Sequence, residues 1–166
     1  MQNYRNKKTV LYLTYDGLLD PLGESQILPY LLGSLESIDQ LTIISFEKRN
    51  SLRLDQNNLH KKLDAHHIKW IPLIFSERYG ALGKMWDLMK LFITCSKYSL
   101  YHKPKLVHAR GHISALIACW IKLTMGNKFL FDFRGLWVDE RVDKGGWNLA
   151  LFFHRQQYAL FKYLEN

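Results

Sequence analysis

The sequence TVLYLTYDGLLDPLGESQ, residues 9–26, decides the fold class of this chain. Its first seven residues form a continuous apolar and β-branched run, which is typical of a strand that is covered on both faces in a parallel sheet. A polar turn that contains Gly17, Pro21 and Gly23 follows, and the apolar residues after it recur at helical spacing. The stretch therefore predicts a strand, a glycine-containing loop and a helix, which is the opening unit of an α/β fold.

The same alternation of strand and helix continues along the rest of the chain. The pattern predicts strands at residues 9–15, 40–46, 68–73, 105–109 and 128–131, and helices at residues 25–37, 49–65, 82–100, 113–125 and 147–164. Such an alternation indicates a parallel sheet with helices on both faces, joined by right-handed crossovers. We therefore predict an α/β fold with a Rossmann-like, doubly wound parallel sheet in a single domain.

Composition limits the class of protein and the kind of partner. The chain has 166 residues, of which 48% are hydrophobic and 14% aromatic, so a substantial core is expected and disorder is not. The formal net charge of +8 indicates an anionic partner, such as nucleic acid, a phosphorylated small molecule or an acidic membrane surface. Cys95 and Cys119 lie in apolar runs, which favours core positions over a disulfide or a zinc site. Cysteines in core positions fit a reducing cytosol, so a cytoplasmic protein is expected. No signal peptide and no apolar stretch of about 20 residues is evident.

The segment FDFRGLWVDERVDKGGW, residues 131–147, is long and charged for a connection in an α/β unit. It combines paired charges with Trp137 and Trp147, a mixture that favours a loop of fixed shape. We interpret the segment as one wall of a ligand cleft. The alternative is that Trp137 anchors an ordinary loop whose charges are solvated.

Three segments at the ends of predicted strands carry an unusual number of polar residues. They are Asp16, Asp20, Glu24 and Gln26 after the first strand, His108, Arg110 and His112 at the fourth, and Asp132, Arg134, Asp139 and Glu140 after the fifth. Segments that leave the carboxyl ends of parallel strands lie at one edge of the sheet, where ligands bind at the point at which the strand order reverses. We therefore expect these residues to line one ligand site.

The glycines of the first of these segments have two interpretations. Gly17 and Gly23 allow a ligand to approach the backbone and precede a helix whose N-terminus favours a phosphate. They also fit a tight turn with a helix cap. The segment matches neither the dinucleotide-binding fingerprint nor a Walker loop, so it does not specify a nucleotide by itself.

The other two segments offer candidates for catalysis. Arg110 and His112 are predicted beyond the end of the fourth strand, where Arg110 can present a forked donor to a phosphate or a carboxylate. A proton from a substrate hydroxyl would be accepted by one of Asp132, Asp139 or His112. The alternative for Asp132 is a structural ion pair with Arg134.

The chain resembles the amino-terminal domain of family 4 glycosyltransferases, which have the GT-B architecture of two facing Rossmann-like domains. The segments that carry the resemblance are LYLTYDGLLDPLGESQILPYL, SFEK, VHARGHISAL and FLFDFRGLWVDERVDKGGW, in that order, and it covers residues 10–164. It implies an enzyme that transfers a sugar from a nucleoside-diphosphate sugar, with retention, to a polysaccharide or glycolipid acceptor, without a metal or another cofactor. It also implies that residues 1–166 are the acceptor side, that the carboxy-terminal donor domain is absent from this chain, and that the chain alone is inactive.

The resemblance also bears on individual residues. It implies that Gly17, Gly23 and Glu24 lie near the donor phosphates and that Asp132, Arg134, Asp139 and Glu140 lie on the acceptor side. With the arrangement of the polar segments, this leads us to predict Asp132, His112 and Arg134 as catalytic residues. The predicted acceptor-binding residues are Asp16, Asp20, Gln26, Arg110, Asp139 and Glu140.

Two other functions account for parts of the same sequence. A non-catalytic Rossmann-like module that binds an anionic partner would explain the net charge, although the scattered Lys and Arg residues form no basic stripe and nucleic acid is not expected as the partner. Residues 82–101, an amphipathic segment with Lys84, Trp86 and Lys90, either pack on the sheet or lean on anionic lipid. A contact with the inner face of the plasma membrane would bring a lipid-linked acceptor within reach.

Overall fold

The computed structural model describes residues 8–76, 80–133, 137–143 and 145–165. The strands are β1 Thr9–Thr14, β2 Gln40–Glu47, β3 Lys69–Ile74, β4 Leu106–Arg110 and β5 Lys128–Asp132. The helices are α1 Leu28–Gly33, α2 Arg49–Asp64, α3 Gly80–His102, α4 His112–Met125, α5 Trp137–Asp143 and α6 Phe152–Glu165. Among the described residues, no helix combines the length and the apolar character that a membrane span requires.

The five strands form one parallel sheet in the order β3-β2-β1-β4-β5. In its centre Leu13 of β1 is paired with Ile44 of β2 and with Ala109 of β4. From β1 the chain proceeds outward through β2 to β3. Helix α3 then returns it to β4, which lies on the other side of β1. The predicted α/β fold with a parallel sheet is confirmed, and the strand order reverses between β1 and β4.

Helices cover both faces of the sheet because successive side chains of a strand point to opposite faces. Tyr12 belongs to a buried cluster that includes Leu63 of α2, so α1 and α2 cover one face. Leu13, the next residue of β1, packs with Leu91 of α3 and Ala118 of α4 on the other face. The continuous apolar character of β1 is explained by this burial on both sides.

Three predictions of secondary structure differ from the structure. The predicted helix at residues 25–37 is divided into a π-helical turn Gly23–Ile27, α1, and a 3₁₀ turn Leu35–Ser37. Pro29 lies near the start of α1 and has no N–H group with which to continue a regular α-helical ladder from the preceding turn.

The segment at residues 131–147 is not the continuous loop that its charges suggested, because α5 occupies its centre. A helix of seven residues shows too little periodicity to be recognised in a charged sequence. Helix α5 ends near Gly145, whose φ of 70° is the left-handed value typical of a helix C-terminus. The last helix begins at Phe152, five residues later than predicted.

The loop after β1 folds back on itself at Gly23. A Cβ atom added to Gly23 would lie 2.2 Å from the carbonyl oxygen of Gly17 and 2.5 Å from the Cα atom of Leu18. Because these neighbours are backbone atoms, they cannot move aside as a flexible side chain would. Close packing within the loop therefore requires glycine at this position, in agreement with the tight-turn interpretation of the segment.

We expect Gly23→Ala to lower the free energy of unfolding by about 3 kcal/mol, the upper end of the usual cost of overpacking. Gly33→Ala is the matched control, because an added Cβ at Gly33 would meet no atom within 4 Å. Alanine is also the better helix former, so the control should be neutral or stabilising by up to about 1 kcal/mol. Urea denaturation followed by circular dichroism measures both variants, and equal midpoints for the two would contradict this account.

Candidate functional site at the carboxyl edge of the sheet

Residues from three distant parts of the sequence meet where the strand order reverses. Nε of Arg110, at the end of β4, lies 3.8 Å from Oδ2 of Asp16, which follows β1. Nη1 of the same guanidinium lies 3.9 Å from Oδ2 of Asp132, at the end of β5. Nη2 donates a hydrogen bond of 3.2 Å to Oε1 of Gln26. The predicted meeting of these segments is therefore confirmed, whereas the roles of their residues stay predictions.

Arg110 lies inside the sheet and not beyond its end, which corrects the sequence-based placement. It is the last residue of β4 and only 2% of its surface is exposed. Its Nε and Nη1 atoms have no hydrogen-bond partner among the described residues. A buried guanidinium is stable only beside opposite charge, so the carboxylates of Asp16 and Asp132 hold it in place. With two carboxylates and one guanidinium, the cluster has a formal charge of −1 when His108 is neutral.

His108 shares a carboxylate with Arg110. Its Nε2 atom lies 3.9 Å from Oδ2 of Asp132. Its ring is buried and contacts the rings of Tyr12, at 4.8 Å between centroids, and Tyr30, at 5.9 Å. Asp132 is therefore placed between two nitrogen-bearing side chains, which restricts the orientation of its carboxylate.

His112 is also buried, although the sequence predicted it as a catalytic residue beyond the end of the fourth strand. It is the first residue of α4 and its ring contacts the rings of Phe131, Phe133 and Phe161 at 5.4, 5.7 and 6.0 Å. The reason is that Gly111 alone separates β4 from α4, with a left-handed φ of 76°. So short a connection turns the first helical side chain inward, against the aromatic residues that follow β5.

Asp139 connects two helices. One of its carboxylate oxygens accepts a hydrogen bond of 2.8 Å from the hydroxyl of Tyr158, and the other accepts one of 2.6 Å from Nζ of Lys162. The hydrogen bond from Lys162, and then that from Tyr158, lowers the pKa of Asp139 below its ordinary value. Both oxygens thus bind α6, which gives Asp139 a structural role alongside the predicted one.

The remaining predicted residues divide into two groups. Asp20 forms an ion pair of 2.9 Å with Lys48, and Glu24 is exposed on the turn before α1. Arg134 lies outside the described residues, as do the side chains of Trp137 and Glu140. A pairing of Arg134 with Asp132 and an anchoring role for Trp137 are therefore not addressed by the structure.

The sequence-based predictions missed Glu47, the last residue of β2. Its carboxylate is 1% exposed and accepts hydrogen bonds from the N–H groups of Leu18 and Leu19, at 2.8 and 3.2 Å, and from Oγ of Ser45, at 2.6 Å. Oγ of Ser45 in turn accepts a hydrogen bond from Nε1 of Trp70. Glu47 therefore fixes the loop that presents Asp16 and Asp20. The sequence feature that could have identified Glu47 is its position as a carboxylate at a strand end, within the SFEK segment.

Burial raises the pKa of Glu47 above its ordinary value of 4.5, although the hydrogen bonds from Ser45, Leu18 and Leu19 oppose this shift. A carboxyl group with a raised pKa in the folded state binds its proton more tightly there than in the unfolded chain. Its contribution to stability is therefore complete below pH 4.5 and is lost as the pH rises through the folded-state pKa.

We expect the Glu47→Gln variant not to lose this contribution to stability as the pH rises, because its amide cannot ionise. The stability of the wild type minus that of the variant should fall as the pH rises from below 4.5 to neutral. The amide of the variant also changes the hydrogen bonds at this position, but this effect does not depend on pH. It shifts the stability difference by a constant amount and leaves its dependence on pH unchanged. Glu36→Gln, at an exposed position, supplies the baseline for removal of a surface carboxylate. Urea denaturation over this pH range provides the data, and a difference independent of pH would refute the expectation.

The described residues contain no group of three His, Cys, Asp or Glu side chains arranged to hold a metal ion. No family model, no curated protein and no solved structure matches the chain. The structure thus defines the molecule as a Rossmann-like α/β domain. A cluster of buried and half-exposed charges lies where the strand order of its sheet reverses.

Proposed function

We propose that this chain is the acceptor-binding half of a retaining glycosyltransferase, which moves a sugar from a nucleoside-diphosphate sugar to a polysaccharide or glycolipid acceptor. This proposal is supported by the charged cluster that lies where the strand order of the sheet reverses, which consists of Asp16, Arg110, Asp132 and Gln26. In open α/β sheets this crevice is the place where ligands bind. The resemblance of the loop segments to family 4 glycosyltransferases gives the ligand its class.

The chemistry of the cluster suits a ligand rich in hydroxyl groups. The side chain of Asp16 is 51% exposed, so its carboxylate can accept hydrogen bonds from sugar hydroxyls. Gln26 is exposed beside it and offers both an amide donor and an acceptor. Arg110 lies behind them and restrains Asp16 and Gln26, which reduces the entropy lost when a ligand is bound.

Asp132 is the residue best placed to accept a proton from an acceptor hydroxyl. Its carboxylate lies at the edge between Arg110 and His108 and remains partly exposed. By contrast, both oxygens of Asp139 bind α6, and the ring of His112 is enclosed by phenylalanines. Under this proposal the donor is bound mainly by a second domain that faces this edge.

We expect Asp16→Asn to weaken acceptor binding by about tenfold, because hydrogen bonds to a carboxylate are stronger than those to a neutral amide. Asp64→Asn is the matched control, since Asp64 is exposed at the end of α2, at the opposite edge of the sheet. Isothermal titration calorimetry with a panel of oligosaccharides and glycolipid headgroups measures the affinities. Absence of binding across the panel, or an equal loss in both variants, would count against the proposal.

Contact with an anionic membrane surface is proposed as part of the same function, because the outer face of α3 is apolar and exposed. Leu82, Met85, Trp86, Met89 and Ile93 all have exposed side chains on this helix. Lys84 is exposed among them. An amphipathic helix with apolar residues and cations at its surface is suited to the boundary between lipid headgroups and acyl chains.

Leu82→Glu is expected to reduce binding to anionic vesicles by about tenfold, since it replaces an inserting side chain by a charge that anionic lipid repels. Leu54→Glu on α2 is a closely matched control, because Leu54 is 79% exposed and Leu82 is 78% exposed. Flotation with vesicles of phosphatidylcholine and phosphatidylglycerol measures the effect. If the two variants float to the same extent, the face of α3 is not the contact.

A further inference from the structure

A concave site separate from the Arg110 cluster lies at the same edge of the sheet, beside β2 and β3. It is a cleft of about 800 Å³ between the start of α2, the residues that follow β3, and the beginning of α3. Small-molecule sites in proteins typically have volumes of about 300–1,000 Å³. The cleft is therefore large enough for a metabolite, and it is formed by residues that do not belong to the Arg110 cluster.

The charge of the cleft is entirely positive among the described residues that line it. Its cationic side chains are Lys48, Arg49, Arg53 and Lys90, and no Asp or Glu is among the lining residues that the structure describes. Arg49 and Arg53 are exposed, and neither forms an ion pair or a side-chain hydrogen bond with any described residue. Two guanidinium groups that have no counter-charge within the described part of the chain thus face a common space.

The other two cations are balanced from outside the cleft. Lys48 pairs with Asp20 at 2.9 Å, and Lys90 pairs with Asp87 at 2.7 Å. Nζ of Lys90 also donates hydrogen bonds to the carbonyl oxygen of Ile74 and to Oγ of Ser76. These contacts hold the walls of the cleft in position, so the unbalanced charge is concentrated at the two arginines.

The backbone adds to this positive charge. Arg49 is the first residue of α2, and no side-chain hydrogen bond caps the start of this 16-residue helix. The first N–H groups of a helix carry a partial positive charge and favour anions. On the α3 side, Trp86 lines the cleft with an indole that is 55% exposed. The cleft therefore combines a cationic end with a flat aromatic surface.

We propose that this cleft binds an organic phosphate, with the phosphate group at Arg49, Arg53 and the start of α2 and the organic part against Trp86. Two forked guanidinium groups and several N–H groups offer more donors than one carboxylate can use, whereas a phosphate group has enough oxygens to accept them. Binding to the cleft does not involve sugar transfer. It can therefore be measured whether or not the function proposed for the edge cluster holds.

The test uses phenyl phosphate as the probe, with inorganic phosphate and benzoate for comparison. Phenyl phosphate should bind most tightly, and the amide signals of Arg49, Asn50 and Ser51 should shift in ¹H–¹⁵N spectra. The double variant R49Q/R53Q should weaken its binding by about tenfold or more. The control K61Q/K62Q removes the same charge from exposed positions in the last turn of α2 and should change the affinity by no more than about twofold.

Two results would overturn the proposal. An equal loss in both double variants would show that phenyl phosphate responds to net charge alone. Shifts that do not include the start of α2 would place the ligand elsewhere. All four substituted residues are exposed, so both variants should fold, and a thermal melt checks this.

The source of the phosphate is distinguished with phosphatidylcholine vesicles prepared with and without phosphatidic acid. If R49Q/R53Q weakens binding to the acidic vesicles and K61Q/K62Q does not, the cleft holds a lipid headgroup. If vesicle binding is the same in both variants while phenyl phosphate binding differs, the ligand is a soluble phosphate. Either result supports the proposed phosphate site and shows whether the bound phosphate belongs to a lipid or to a soluble molecule.

Discussion

The carboxyl edge of the sheet depends on one buried carboxylate. Glu47 ends β2 and accepts hydrogen bonds from the backbone of the loop after β1. A buried carboxylate without such donors would be strongly destabilising, so the loop and the carboxylate become ordered together. That loop carries Asp16, which faces Arg110, and Asp20, which pairs with Lys48 at the entrance of α2. A single residue thus connects the edge cluster with the basic cleft.

The Arg110 cluster and the basic cleft have opposite electrostatic character. Around Arg110, two carboxylates outnumber one guanidinium, and the exposed oxygens suit hydroxyl groups. In the cleft, Arg49 and Arg53 have no acidic neighbour among the described lining residues, which suits a phosphate. The ion pair of Asp20 and Lys48 lies between the loop after β1 and the start of α2.

Which residues meet at the edge site could be predicted from the sequence, whereas their burial could not. The meeting of Asp16, Arg110 and Asp132 followed from the sheet itself, because parallel strands bring their carboxyl ends together. The burial of Arg110 and His112 did not, since the one-residue connection at Gly111 is invisible in a pattern of residue types. Likewise the charged composition of residues 131–147 concealed a helix too short to show a period.

The sequence by itself determined the fold class, because uninterrupted apolar strands alternating with amphipathic helices can be buried in few ways other than a parallel sheet covered on both faces. It also determined which segments share an edge. Tertiary structure alone decided which charges are paired and which are not. Glu47 is buried by the loop it binds, and Arg49 and Arg53 have no counter-charge among the described residues. Both outcomes depend on distances between residues that are remote in the chain.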